Sequence, residues 1–176
     1  MVEGHTETHF MKATYPRAVI QRCIPNGASV AVDRIVEEIF DRLEVLGGDI
    51  SRVIVLFDRE GRCESAKYIS EYVIDKLKNA GCKRKVYVGV SDREIENWIV
   101  SDNNLMRERY GAGYNYPGDG TNGKAILKAL HGGDQAPGEK ARLLKSCSPA
   151  AAKLNSPSLA LFVEKIDFAW PWLEEV

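Results

Sequence analysis

Three features are scarce in this sequence: long apolar runs, closely spaced cysteines and an excess of charge of one sign. No apolar run approaches the roughly 20 residues of a membrane-spanning helix, and the first residues lack the zones of a secretory signal, so we expect a cytoplasmic protein. The four cysteines form no CxxC pair, which argues against a zinc site or a disulfide framework. The formal net charge of −1 provides no global positive field, so nucleic-acid binding would depend on local basic patches.

The first half of the chain has the hydrophobic pattern of alternating strands and helices. Apolar residues at helical spacing predict two amphipathic helices, and continuous β-branched runs predict buried strands. The predicted elements are a strand at 18–24, a helix at 33–46, a strand at 53–57, a helix at 64–79 and a strand at 85–90. Gly47 and Gly48 end the first helix. Strand, helix, strand is typical of a right-handed βαβ unit, so we expect an α/β fold with a mostly parallel sheet flanked by helices.

The second half of the chain has shorter and more polar patterns. From Glu94 onward the spacing turns helical, and the Gly-, Tyr-, Asn- and Pro-rich stretch at 111–123 predicts a long loop. The last third predicts only short helices, at 124–130, 138–145 and 158–172. We therefore expect an α/β domain over residues 1–102, with a loop and small helical C-terminal extension over 103–176 packed on the same domain.

Acidic residues stand at the ends of two predicted strands. Asp58 and Glu60 follow the strand at 53–57, and residues i and i+2 of an extended chain point to the same side. Glu3 would end a first strand, and if that strand lies beside 53–57, the three carboxylates form one cluster. Close carboxylates repel one another unless a cation compensates, and Mg²⁺ takes such oxygen ligands.

This cluster predicts metal-assisted phosphoryl transfer. Glu3 would act as general acid or base, and Asp58 and Glu60 would hold the metal. The spacing alone also allows a purely structural interpretation, in which Asp58 caps the next helix and Glu60 is a solvated charge. A third interpretation makes Asp58 the covalent acceptor of an aspartate-nucleophile phosphatase, but it leaves the motif at Glu3 unexplained.

Two motifs contain these acidic residues: V-E-G-H-T-E at 2–7 and V-I-V-L-F-D-R-E at 53–60. They resemble the signature of the TOPRIM domain, a Glu-Gly after a first strand and an Asp-x-Asp after a later one, especially in OLD-type and small stand-alone members from bacterial defence loci. The run R-E-I-E-N-W-I-V-S-D at 93–102 is similar to a downstream Glu-x-Trp motif. The resemblance implies a TOPRIM-like fold and an Mg²⁺- or Mn²⁺-dependent nuclease that cleaves DNA or RNA in phage defence. It makes Glu96 a candidate accessory metal ligand.

The chain departs from the TOPRIM pattern at two positions. Glu60 stands where the family has a second aspartate, and only Met1 and Val2 precede Glu3, so the first strand is a stub or begins upstream of this sequence. Both departures favour an alternative function, a TOPRIM-like nucleic-acid-binding or regulatory subunit that lacks turnover. The stretch 118–125 resembles a nucleotide-binding loop but has Ala125 where Ser or Thr should hold Mg²⁺. Because OLD-type proteins work with an ATPase, a partner ATPase on a separate chain is expected.

Several basic and aromatic residues are candidates for contacts with other molecules. Lys124 at a helix start could meet a substrate phosphate. Arg107 and Arg109, interleaved with Tyr110, Tyr114 and Tyr116, suit single-stranded nucleic acid.

Other residues in these motifs have simpler expected roles. Trp170 and Trp172 fit either the core or a contact with another subunit of a homo-oligomer. Glu7 is expected to be a charge at a helix start rather than a metal ligand, and His5 and His9 to be surface residues.

Overall fold

The sheet at the centre of the chain is parallel and has two strands. A computed structural model describes residues 1–47 and 50–174. Strand β1 (Arg52–Asp58) pairs with β2 (Lys85–Ser91) so that Asp58 lies opposite Ser91. The prediction of an α/β fold with a parallel βαβ unit is confirmed, and each strand is slightly longer than its apolar run.

Ten helices surround this sheet in the described part of the chain. They are α1 (His5–Thr14), α2 (Val32–Val45), α3 (Ala66–Asn79), α4 (Glu96–Val100), α5 (Asn103–Tyr110), α6 (Gly123–His131), α7 (Pro137–Ser146), α8 (Pro149–Ala152), α9 (Pro157–Val163) and α10 (Pro171–Glu174). None of them is both long and apolar enough to cross a membrane. The predicted end of α2 at Gly47 and Gly48 is checked only in part, because Gly48 lies outside the described residues; the helix stops at Val45, with Leu46 as its C-cap.

The first residues of the chain extend the sheet by a single bridging residue. Val2 forms parallel bridges to Leu56 of β1 on one side and to Arg22 on the other. The Glu3 N–H donates to the Leu56 carbonyl at 3.2 Å, and the Val2 N–H donates to the Gln21 carbonyl at 2.9 Å. The predicted strand at 18–24 is wrong as a strand, because the short inner segment offers too few residues to pair with it. The expected first strand, which ends at Glu3, is reduced to the bridges of Val2, but it lies beside β1 as predicted, so Glu3 reaches the same edge as Asp58.

One face of the sheet is covered by α2 and α3. Their buried aliphatic residues pack on the side chains of β1 and β2 that point to this face, and the core members include Ile35, Ile39, Leu43, Ile69, Val73, Leu77, Val53, Val55 and Phe57. Both helices were predicted from apolar spacing, and burial of that apolar stripe is their main source of stability. This layer fixes β1, and with it the position of Asp58.

The other face is covered by aromatic residues of the second half. Trp98 stacks on Phe162 with ring centroids 5.5 Å apart, and the Trp172 indole N–H donates to the Leu144 carbonyl at 3.1 Å. The predicted helix at 158–172 is wrong as one continuous helix: α9 ends at Val163 and α10 begins at Pro171. The residue before a proline is disfavoured in helical conformation, which agrees with Trp170 lying outside both helices, and Trp170 is fully buried. Trp170 and Trp172 are therefore core residues.

Candidate functional site

A cavity of about 770 Å³ opens at the carboxyl ends of the strands. The N-terminal segment, the loops after β1 and β2, and the starts of α6 and α7 contribute its lining. Its acidic side chains are Glu3, Glu7, Asp58, Glu60, Glu94 and Glu96, and its basic side chains are Arg22, Arg93, Lys124 and Lys140. The carboxyl edge of a parallel sheet is the usual place for ligands in α/β proteins, so this cavity is the candidate site.

Glu3 and Asp58 meet at the centre of this lining. The Asp58 N–H donates to Glu3 Oε2 at 2.6 Å, and the Ser91 hydroxyl donates to Asp58 Oδ1 at 2.5 Å. Among residues 1–47 and 50–174, no protein donor lies on Glu3 Oε1 or Asp58 Oδ2. Each carboxylate is therefore held through one oxygen, while its second oxygen is available to a ligand. Ser91, which orients Asp58, was not expected from the sequence, although its register opposite Asp58 follows from the strand pairing.

Burial and mutual repulsion raise the pKa values of both carboxyl groups. Burial raises the pKa of Glu3 to about 7; the Asp58 N–H and the Arg62 charge oppose this rise, while Glu7 and Glu60 add to it. The pKa of Asp58 lies well above its ordinary range because of burial first, and then because of Glu7 and Glu3. A cation near these groups would favour their charged forms and lower both pKa values.

Glu7 belongs to this cluster, contrary to the expectation that it is only a helix-start charge. It lies in the first turn of α1, is 3 % exposed and lines the cavity. Burial raises its pKa, and the neighbouring Glu96 charge raises it further. A Cβ on Gly4 would lie only 2.6 Å from Glu7 Oε2, so the glycine leaves room for this carboxylate. The signal available in the sequence was the pair of glutamates four residues apart around Gly4.

Glu96 is paired with a lysine from the C-terminal extension. It begins α4, and the Lys140 ammonium in the first turn of α7 donates to its Oε1 at 2.5 Å. The Lys140 charge also lowers the pKa of Glu7. The sequence predicted the helix that carries Lys140, but nothing in the sequence indicated that this lysine is buried against an acid 44 residues away.

Glu60 has a different position from the one predicted. The argument from residues i and i+2 assumed an extended chain, but Glu60 has a φ of 53° and leaves the strand direction. Its N–H donates to the carbonyl of Arg93 at 2.7 Å, and Arg93 also has a positive φ, 61°. Its Oε1 accepts the Gly27 N–H at 3.2 Å. Glu60 thus lines the cavity while it holds the loop before α2, and it does not point alongside Asp58.

Arg62 is a buried cation that sequence reasoning missed. Its guanidinium donates to the carbonyls of Asp58 at 3.1 Å, Gly27 at 3.0 Å and Val30 at 3.0 Å. These bonds tie the loop before α2 to the end of β1. A single arginine in a turn offers no sequence signal for this role, because its partners are backbone carbonyls of distant residues.

The predicted nucleic-acid contacts fall in two places. Lys124 is exposed, lies at the start of α6 and lines the cavity. Arg107 and Arg109 lie on α5 outside the cavity lining, and Arg107 Nε donates to the Tyr114 carbonyl at 2.8 Å. Tyr116 is buried with its hydroxyl donating to Asp119 at 3.0 Å, so it is not part of a stacking surface with these arginines.

The donor set of the cavity fits a hard divalent cation. Across residues 1–47 and 50–174, no three Asp, Glu, His or Cys side chains are arranged to hold a metal ion. Mg²⁺, however, is usually held by one or two carboxylates together with waters and substrate phosphate. Glu3 and Asp58 can supply those two carboxylates, with one oxygen each.

Comparison with known proteins returns no relative. No family model, no curated protein and no solved structure matches this chain. Function must therefore be inferred from the geometry and chemistry of the cavity.

Proposed function

We propose that this chain is a TOPRIM-like, Mg²⁺- or Mn²⁺-dependent nuclease that cleaves phosphodiesters of DNA or RNA. One observation carries the proposal: Glu3 and Asp58, from neighbouring parallel segments, meet through a 2.6 Å hydrogen bond and each leave one oxygen for a ligand. The TOPRIM part of the proposal rests on the resemblance of the two motifs that carry these residues.

In this proposal each residue has a defined task. Asp58, oriented by Ser91, holds the divalent cation together with Glu3, and the cation supplies charge neutralisation at the phosphodiester. The second oxygen of Glu3 would take up or release the proton of the reacting oxygen, and a bound cation would lower the raised pKa of this carboxyl group. Glu96 is paired with Lys140, and Glu60 leaves the strand direction, so neither is placed to hold the cation beside Asp58 and Glu3.

Basic side chains around the cavity would position the substrate. Lys124, Arg22 and Arg93 line it and can contact phosphates on both sides of the scissile bond. Arg107 and Arg109 would extend the contact along the strand. A role in phage defence and an ATPase partner on a separate chain rest on the resemblance alone, and co-purification from the native host tests the partner.

The experiment is a cleavage assay with the full chain. Labelled single- and double-stranded DNA and RNA are incubated with Mg²⁺ or Mn²⁺, and the variants Glu3→Gln and Asp58→Asn are compared with wild type. Loss of a positioned acid, base or metal ligand should slow cleavage by about 100-fold or more. The matched control is Glu37→Gln, an exposed carboxylate on α2, which should leave the rate unchanged. Equal cleavage by all four proteins would indicate a contaminating nuclease.

The position of Glu60 favours the second candidate, a nucleic-acid-binding or regulatory subunit of an ATPase-containing complex. With a φ of 53°, Glu60 leaves the strand direction and does not stand beside Asp58 as the second aspartate of the TOPRIM pattern would. This candidate predicts nucleic-acid binding by wild type, weakened by Lys124→Ala, with no cleavage in any metal.

A further inference from the structure

The pair formed by Lys140 and Glu96 is the least exposed ion pair in the described part of the chain. Their side chains are 14 % and 7 % exposed, and the Lys140 Nζ lies 2.5 Å from Glu96 Oε1. Lys140 is in the first turn of α7, which packs on α1, the helix that carries Glu7. The ammonium is therefore fixed in place by the packing of two helices.

This ammonium lies inside the acidic cluster of the cavity. Both Lys140 and Glu96 line the cavity together with Glu3, Glu7 and Asp58. The Glu96 charge acts on Glu7 and on Asp58, and the Lys140 charge opposes it at Glu7. One end of the cluster thus contains its own cation, whereas the oxygens at the Glu3 and Asp58 end have no such partner among the described residues.

A metal ion at Glu96 would compete with this lysine. Mg²⁺ binds carboxylate oxygens at about 2.0–2.1 Å, and paired catalytic ions lie about 3.5–4 Å apart. Lys140 already occupies Glu96 Oε1, so an ion on Glu96 would have to displace the ammonium or bind Oε2 beside it, and two neighbouring cations repel strongly in a partly buried site.

We propose that Lys140 takes the place of a second metal ion, so that the cluster binds one divalent cation, at Glu3 and Asp58. Lys140 is then a positioning residue that compensates Glu96 and Glu7 without occupying the reacting end. This inference rests on the proposed function, because it assumes that the cavity binds a divalent cation.

The test counts bound Mn²⁺ by the paramagnetic resonance signal of the free ion during titration of the full chain. Wild type should bind one ion. Lys140→Met, which keeps an unbranched side chain of similar length and removes its charge, should bind two. Lys140→Arg should bind one, because the charge is retained. Lys128→Met is the matched control, because Lys128 lies on α6 and forms an exposed ion pair with Asp134. This variant should also bind one ion.

Each result decides between the inference and the proposed function. Two ions on wild type, or one ion on both wild type and Lys140→Met, overturn the role of Lys140 and leave a metal-dependent nuclease standing. No ion on wild type overturns the metal dependence itself. If Lys140→Met is unfolded without metal, Mn²⁺ should restore its circular dichroism, because the second ion replaces the lost charge. Failure of that rescue also overturns the inference.

Discussion

Two groups of acidic residues are wholly or partly buried in this chain, and their surroundings differ. Asp102 is 2 % exposed and uses both oxygens: Oδ1 accepts the N–H groups of Asn104 and Leu105 at 3.0 and 3.1 Å, and Oδ2 accepts the N–H of Ser148 at 2.8 Å. Asp92 likewise accepts Arg59 Nε at 2.7 Å through one oxygen and the Gly120 N–H through the other.

The carboxylates at the centre of the cavity, Glu3 and Asp58, do not have hydrogen-bond donors on both oxygens among the described residues. Glu3 and Asp58 each accept one hydrogen bond through one oxygen, and like charges surround them. A buried charge without donors costs free energy, whereas a fully bonded one holds the chain together. The comparison therefore separates structural carboxylates from those that are available to a ligand, although both kinds are wholly or partly buried aspartate or glutamate.

The largest expected effect on stability comes from removing a carboxylate that has hydrogen-bond donors on both oxygens. Asp102→Ala deletes the cap of α5 and the link to Ser148, and leaves buried N–H groups without an acceptor. The free energy of unfolding should fall by about 3–4 kcal/mol, as measured by urea denaturation. A loss below about 1 kcal/mol would contradict the structural role assigned to this group.

Removing the charge of a cavity carboxylate should have the opposite effect on stability. Glu3 has a pKa of about 7 in the folded chain against an ordinary value of 4.5, so the folded state binds its proton more tightly. The contribution of Glu3 to the free energy of unfolding thus declines between pH 4.5 and pH 7. Glu3→Gln should raise the free energy of unfolding at pH 8 by up to about 3 kcal/mol and change it little near pH 4.

A divalent cation should reduce the difference in the free energy of unfolding between Glu3→Gln and wild type at pH 8. The cation stabilises the charged form of Glu3, which Gln cannot provide. Thermal unfolding at pH 8 with and without Mg²⁺ measures this change. A variant that is less stable than wild type at pH 8 without metal would place Glu3 among the structural carboxylates instead.

The smallest expected effects concern the basic residues. Lys124→Ala removes a charge at the cavity and should weaken nucleic-acid binding and reduce the slope of log K against log salt by about 1. Arg107→Ala and Arg109→Ala remove charges on α5, outside the cavity, and should weaken binding less. Fluorescence anisotropy over a range of salt concentrations measures both quantities. A larger effect at α5 would move the binding surface away from the cavity.

The parts of the molecule that could be predicted from sequence depend on local patterns. The strand β1 and the helices α2 and α3 follow from apolar runs and spacing, because each buries one continuous face. The approach of Glu3 to Asp58 follows from the rule that parallel strands end at one edge. These predictions needed only the order of elements along the chain.

The remaining features depend on contacts between distant residues. Glu60 points away from Asp58 because Glu60 itself has a positive φ, and the residues around it do not indicate this backbone conformation. Lys140 and Arg62 gain their roles from partners that tertiary packing brings to them. Pro171 agrees with a helix start at that residue, but the end of α9 at Val163 and the burial of Trp170 depend on packing against the rest of the core.

The aromatic face of the sheet has a practical consequence for studies of this chain. All three tryptophans, Trp98, Trp170 and Trp172, are buried in the same aromatic cluster. Indole emission therefore reports on a single neighbourhood, the layer contributed by the second half of the chain, and contains no signal from the aliphatic layer beneath α2 and α3. The three tryptophans thus form an intrinsic fluorescent probe of one face of the sheet, and the opposite face has no tryptophan.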